Sequence, residues 1–141
     1  MARFAIKTLE FDKVKNILAD KTATALGRQA VGAMRIESDF SNVNRLQEET
    51  AEALRTMDEG KRFPFGGAYN IVSEVKRAEL GSTLDPEELL HIQTTVAAIR
   101  QMKFFLQDEA EIAPVLSEFA NSLGIFIKLE KQITNAIDDH G

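Results

Sequence analysis

The sequence predicts an all-α fold, a multi-helix bundle with one long central helix. Apolar residues recur at intervals of three and four in every clear periodic segment, which is the spacing of one helix face. No alternating pattern of useful strand length occurs beside them. The strongest helix start follows Gly81, where Asp85 can cap the first amides, Pro86 suits the first helical position and Glu88 completes a capping box. A chain of 141 residues is one domain or part of one, so we treat residues 1–141 as a single helical domain.

Three helices are predicted in the first sixty residues. The first carries an apolar stripe that includes Phe11, with Thr8 available as its cap, and the second opens at Thr24. The third spans about residues 40–59 and exposes Glu48, Glu49 and Glu52 on its polar side, which we interpret as solvent-facing. Its apolar positions have the spacing of a seam for another helix: Val43, Leu46, Thr50, Ala53 and Met57.

Four further helices are predicted after the glycine-containing loop at residues 61–67. The fourth ends near Gly81, and the fifth runs from Pro86 to about residue 107, roughly 30 Å at 1.5 Å per residue. Pro114 starts the sixth helix, and the seventh carries Phe126 and Ile137. Residues 138–141 have the composition of a turn, from which we expect the chain to continue in a longer protein.

Composition and motifs exclude several kinds of site. The chain has no cysteine, so thiolate chemistry and disulfides are absent. The only Gly-Lys pair is Gly60-Lys61, with Arg55 where a phosphate-binding P-loop needs its first glycine and Arg62 where it needs Ser or Thr. No apolar run approaches the roughly 18 residues of a membrane helix, and a cytoplasmic location is the default. We therefore assign no catalytic, cofactor-binding or metal-ligating residue.

The two histidines, His91 and His140, are far apart in sequence. A metal or general-base role would need partners within a turn or across the bundle. A structural role for His91 is therefore favoured. A small helical enzyme that uses His91 with nearby glutamates stays open as an alternative.

Basic and aromatic residues supply weak candidates for contacts with partners. Arg100 and Lys103 share a helix face, and Lys61 and Arg62 lie together in the glycine-containing loop; these four are the candidates for nucleic-acid contact. A solvated face is the favoured interpretation, and the net charge of −5 weighs against a primary nucleic-acid reader. Candidates for a protein partner are Phe63 and Phe65, which could equally plug the end of the bundle.

Short motifs occur in one order through nearly the whole chain. They are KTLEFDKV (7–14), LGR (26–28), EETAEA (48–53), FGG (65–67), RAELGSTL (77–84), ELL (88–90) and IDDHG (137–141). Each is short, and the ordered set gives the specificity. In this order they resemble the N-terminal segment of the second-type bacterial MutS proteins (MutS-II).

The resemblance implies a role within a larger machine. Proteins of that family are homodimers with MutS-like ATPase domains, which bind ATP and magnesium, and they often end in a nuclease domain of the Smr type. Their suggested tasks are binding branched DNA to restrain recombination, with a link to DNA repair, and acting on stalled or collided ribosomes and their rRNA. The chain would be the front part of the helical core, with the remainder of its own polypeptide as partner. No residue in 1–141 matches the family's catalytic motifs.

A second interpretation does not require that the chain belong to a longer protein. The chain could be a stand-alone helical module that binds a partner helix in an apolar groove. If it is instead a core segment separated from the rest, apolar surface should stay uncovered and favour self-association.

Overall fold

A computed structural model of the chain describes residues 10–137. The described residues form seven helices and no strand, so the predicted all-α class is confirmed. Their bounds are α1 Phe11–Asp20, α2 Ala25–Ala33, α3 Phe40–Asp58, α4 Val72–Glu79, α5 Pro86–Asp108, α6 Pro114–Ser122 and α7 Ile127–Ala136. The predicted Thr8 cap and the turn at residues 138–141 lie outside the described residues.

The chain divides into two compact units. The N-terminal unit is Met1–Ile36 and the C-terminal unit is Glu37–Gly141. The expectation of a single domain over residues 1–141 stays a prediction. In the N-terminal unit α1 packs against α2, and the Lys15 ammonium donates to the Gly32 carbonyl oxygen at 2.7 Å. Thr24 caps α2 as predicted, since its hydroxyl oxygen accepts from the Gly27 amide at 3.0 Å.

The link from α4 to α5 follows the local sequence. Gly81 has a φ of +80°, a left-handed conformation that ends α4 without the strain that a side chain would bring. The Asp85 carboxylate accepts from the Glu88 amide at 2.9 Å, and the Glu88 carboxylate accepts from the Asp85 amide at 3.0 Å. The predicted capping box is therefore confirmed, with Pro86 in the first turn.

Helix α5 is the spine of the C-terminal unit. Both α6 and α7 pack against it, and α3 packs against α6. The core cluster joins Ile92 and Val96 of α5 to Ile133 of α7. The residues packed around this cluster come from the α4 and α5 boundaries and from the chain after α7: Ile71, Leu84, Leu89 and Ile137.

Helix α3 turns a different face to its neighbour than the sequence predicted. The side chain of Glu52 is 1% exposed and that of Thr56 is fully buried, so the interpretation of Glu52 as solvent-facing is wrong. Leu46 and Met57, which belong to the predicted seam, are 51% and 58% exposed. The seam therefore lies beside the α3–α6 contact and remains largely uncovered. Self-association stays a prediction.

Candidate functional site

An apolar groove opens between α3, α5, α6 and the loop that follows α3. Its volume is about 420 Å³, and every residue that lines it is apolar. Two come from α3, two from the loop, two from α5, and three from α6 and its C-terminal end: Ala53, Met57, Phe63, Phe65, Met102, Leu106, Leu116, Phe119 and Leu123. A groove of this kind suits an apolar side chain or helix face rather than a charged ligand.

The two loop phenylalanines lie at this groove. The rings of Phe63 and Phe65 stack with their centroids 5.6 Å apart, and Phe63 also contacts Phe105 of α5 at 5.0 Å. Phe63 is half-buried, whereas Phe65 is 51% exposed. Phe63 therefore anchors the loop on α5, and Phe65 presents an apolar face at the groove. Contact of either ring with a partner stays a prediction.

Glu52 has a structural role that its local sequence does not reveal. One oxygen of its carboxylate accepts from the Val115 amide at 3.0 Å, and the other accepts from the Leu116 amide at 2.8 Å. Val115 and Leu116 are the second and third residues of α6. The residue before this helix is Ala113, whose methyl side chain cannot accept a hydrogen bond from their amides. A carboxylate from α3 thus supplies the N-terminal cap of α6, and the Arg55 guanidinium approaches the same carboxylate to 3.9 Å.

Lys103, a candidate for nucleic-acid contact, caps the opposite end of α6. Its ammonium donates to the carbonyl oxygens of Ala120 at 2.7 Å and Leu123 at 2.8 Å. These carbonyls belong to the last turn of α6 and to its C-terminal cap residue, where a positive charge is favourable. The structure gives Lys103 a structural role within the fold.

Arg100, the other candidate on α5, is paired with α7. Its guanidinium donates to both oxygens of Glu130, at 3.0 and 2.9 Å. The bidentate hydrogen bond to the Glu130 carboxylate raises the pKa of Arg100 above its ordinary value. The structure therefore separates the roles of Arg100 and Lys103, because one joins α5 to α7 and the other joins α5 to α6.

The two loop cations differ in their surroundings. The Lys61 ammonium lies 2.6 Å from the carboxylate of Glu109, a buried residue just after α5. The hydrogen bond to Glu109 is the main cause of a raised Lys61 pKa. Arg62 is exposed. Contact of Arg100, Lys103, Lys61 and Arg62 with nucleic acid stays a prediction, and three of the four already hold protein groups.

The ring of His91 stacks on Tyr69. Their centroids are 4.1 Å apart and their planes differ by 22°. His91 is half-buried at this contact, which supports a structural role for its ring. Among residues 10–137 no cluster of three or more metal-ligating side chains occurs, and His140 lies outside that range.

Comparison with known proteins assigns the segment to one group of relatives, although no protein-family model matches it. The chain is 41% identical to an endonuclease MutS2 of Symbiobacterium thermophilum over 136 residues, which are 96% of the chain and 17% of the relative. It is 38% identical to endonuclease MutS2 of a Geobacillus species over 139 residues and of Bacillus cytotoxicus over 144 residues. The chain is a segment of a MutS2-like protein. The resemblance stated from the ordered motifs is confirmed.

This MutS2-like segment spans about 18% of the length of the curated relatives that it matches. Within it, the EETAEA motif supplies Glu52, the cap of α6, and the RAELGSTL motif ends α4 and leads to the capping box of α5. Two of the segments on which the resemblance was stated therefore fix where helices begin or end. In the described part, none of the helices combines the length and apolarity of a membrane span.

Proposed function

We propose that the chain is a non-catalytic, helical coupling segment of a MutS2-like protein that acts on nucleic acid. The observation that carries this proposal is the 37–41% identity to endonuclease MutS2 proteins over nearly the whole chain. The fold supports a mechanical role, because α5, with 23 residues, is about 34 Å long and its neighbours are tied to it by ion pairs and caps. A helix held in this way moves as a rigid body and can carry a displacement over its length.

The finer parts of the proposal concern the parent protein. It would be a cytoplasmic homodimer that binds ATP and magnesium in an ATPase domain outside this segment and cuts nucleic acid with a further nuclease domain. It would suppress recombination by binding branched DNA, or act on stalled and collided ribosomes. In that setting the segment would serve as the front part of the helical core, between the ATPase and the surfaces that grip nucleic acid.

The arrangement of charges predicts that the isolated segment binds nucleic acid only weakly. Arg100, Lys103 and Lys61 each hold a group of the protein, and the net charge of the chain is −5. Tight sequence-independent binding uses many free cations, and its affinity falls steeply with salt. We expect the isolated chain to bind a branched DNA junction or ribosomes weakly, with a shallow salt dependence.

A chimera tests the proposal. The homologous segment of the Geobacillus endonuclease MutS2 is replaced by this chain, and salt-titrated DNA binding and ATP hydrolysis are compared for the chimera, the unaltered relative and the isolated chain. The expected result is that the chimera keeps the activities of the relative, while the isolated chain hydrolyses no ATP. ATP hydrolysis by the isolated chain, or an inactive but folded chimera, would contradict the proposal.

The uncovered apolar groove favours a second candidate, a stand-alone module that binds a partner helix. The two candidates differ in whether the rest of a MutS2-like polypeptide covers the groove. Because the chain has no cysteine, Phe65→Cys places a single thiol at the groove of the isolated chain. In a chimera made from a cysteine-free relative, protection of that thiol from a maleimide reagent supports the core segment. Equal reactivity in the chimera and the isolated chain supports the stand-alone module.

A further inference from the structure

Helix α6 holds its ends only in part with its own side chains: the Ser122 hydroxyl donates to the Phe119 carbonyl oxygen at 2.8 Å, but no side chain of α6 caps its first amides. It has only nine residues, and it begins after Ala113, which has no side-chain oxygen for the free amides. Isolated helices shorter than about 12–15 residues are marginal in water. The persistence of α6 therefore depends on groups supplied by the rest of the C-terminal unit.

Those groups are two opposite charges from two different helices. The Glu52 carboxylate of α3 holds the amides of Val115 and Leu116, and the Lys103 ammonium of α5 holds the carbonyls of Ala120 and Leu123. The negative charge lies at the N-terminus of α6 and the positive charge at its C-terminus, which is the arrangement that the helix dipole favours. Both ends of this short helix are thus capped by side chains of other helices.

The position of α6 makes these two caps consequential. Helix α3 packs against α6, and α6 packs against α5, so α6 bridges the two long helices. Its inner side is well packed, since Ala120 is only 1% exposed, while Leu116, Phe119 and Leu123 form one wall of the apolar groove. Removing α6 from this position would open the groove and loosen α3 from α5.

We propose that α6 is a strap, a wall of the groove that the Glu52 and Lys103 caps hold between α3 and α5 and that is released as a unit when either cap is lost. The two caps are charged hydrogen bonds, which are stronger than neutral ones and lie at the ends where a helix starts to fray. The strap opens without unfolding α5, because the α5–α7 core of Ile92, Val96 and Ile133 does not include α6.

Hydrogen exchange of backbone amides in the whole 141-residue chain tests the strap. The variants are Glu52→Gln, which keeps the side-chain size, and Lys103→Gln, which shortens the side chain; each removes one charge. Matched controls are Glu48→Gln, an exposed glutamate on the same helix as Glu52, and Lys131→Gln, an exposed lysine on α7.

In each cap variant we expect exchange of the amides of residues 117–123 to rise at least tenfold. Exchange at residues 95–99 of α5 should change less than twofold, and both controls should match the unaltered chain. An α6 whose exchange is unchanged in the cap variants would overturn the proposal. Loss of protection throughout α5 and α7 together with α6, in either cap variant, would equally overturn it, because α6 would then not open by itself.

Discussion

Helices α5 and α6 are neighbours that begin in opposite ways. The first turn of α5 is capped by Asp85 and Glu88, which stand within three residues of each other. The first turn of α6 is capped by Glu52, which lies 63 residues earlier in the chain than Val115. The start of α5 is thus complete in local sequence, whereas the start of α6 is capped only when α3 packs against it.

This difference separates two kinds of stability in one unit. A locally capped helix keeps its start even when its neighbours move, and α5 adds to this a core with α7. A helix whose caps come from other helices keeps those caps only while the helices stay in one arrangement. The caps of α6 therefore stabilise one arrangement of α3, α5 and α6. We infer that α5 serves as the fixed spine of the segment and that α6 sets how α3 and α5 are joined.

The largest effect on stability is expected from Glu52→Ala. The change leaves the Val115 and Leu116 amides without their acceptor in a site where Glu52 is 1% exposed. We expect a loss of about 2–4 kcal/mol in the free energy of unfolding, the cost of unpaired groups and a lost helix cap. Urea unfolding followed by circular dichroism measures it. Glu48→Ala is the control and should cost less than about 0.5 kcal/mol, as for a surface pair; equal losses would contradict the assigned role.

The next effect is expected at the other end of α6. Lys103→Met keeps the packing of the long side chain but removes the ammonium from the Ala120 and Leu123 carbonyls. Because water can reach part of this site, the loss should be about 1–2 kcal/mol. The same urea experiment measures it, with Lys131→Met as the exposed control. If the two lysine variants are equally stable, Lys103 does not cap α6.

A smaller effect is expected at the locally capped helix. Asp85→Ala removes the acceptor of the Glu88 amide at the start of α5. The expected cost is about 1 kcal/mol, typical of a lost N-cap, and it should be confined to fraying of the first turn. Exchange of the first-turn amides of α5 should rise while that of α6 stays unchanged. A rise in α6 would show that the two helix starts are not independent.

The smallest effect concerns the start of α3, where Asp39 is a local cap and Glu37 adds to it. The Glu37 carboxylate accepts from the Ser38 and Asp39 amides, and the Asp39 amide is the main cause of a Glu37 pKa below its usual 4.5. A lowered pKa stabilises the fold above pH 4.5 and ceases to do so as the pH falls through the folded-state value. Glu37→Gln should therefore slightly lower the urea midpoint at pH 7 and leave it unchanged near pH 2. A midpoint difference that is larger in acid would contradict this sign.

The sequence predicted those parts of the fold that depend on local chemistry. The all-α class, the left-handed Gly81 and the Asp85–Glu88 capping box follow from spacing and side-chain type within a few residues. The ordered motifs also identified the relatives correctly. The face that α3 buries could not be predicted in the same way, because the apolar seam with Leu46 and Met57 is the better local candidate and remains exposed.

The caps of α6 depend on contacts across the fold, which explains why they were missed. Glu52 stands near Glu48 and Glu49, and nothing in local composition distinguishes the buried glutamate from the other two. The sequence around the start of α6 did hold an indication, because Ala113 before Pro114 leaves that helix start with no side-chain cap. A helix that lacks its own cap requires a donor or acceptor from elsewhere, but only the tertiary structure shows which residue supplies it.

The central claim is that the Glu52 cap fixes α6 to α3, and a distance measurement between spin labels on these two helices tests it. The chain has no cysteine, so Asn44→Cys on α3 and Asn121→Cys on α6, both exposed positions, carry the only labels. A second pair, Gln101→Cys on α5 and Lys128→Cys on α7, serves as the control. We predict one narrow distance distribution for each pair, and broadening of the α3–α6 distribution alone when Glu52→Ala is added. An α3–α6 distribution that stays narrow in that variant would contradict the account.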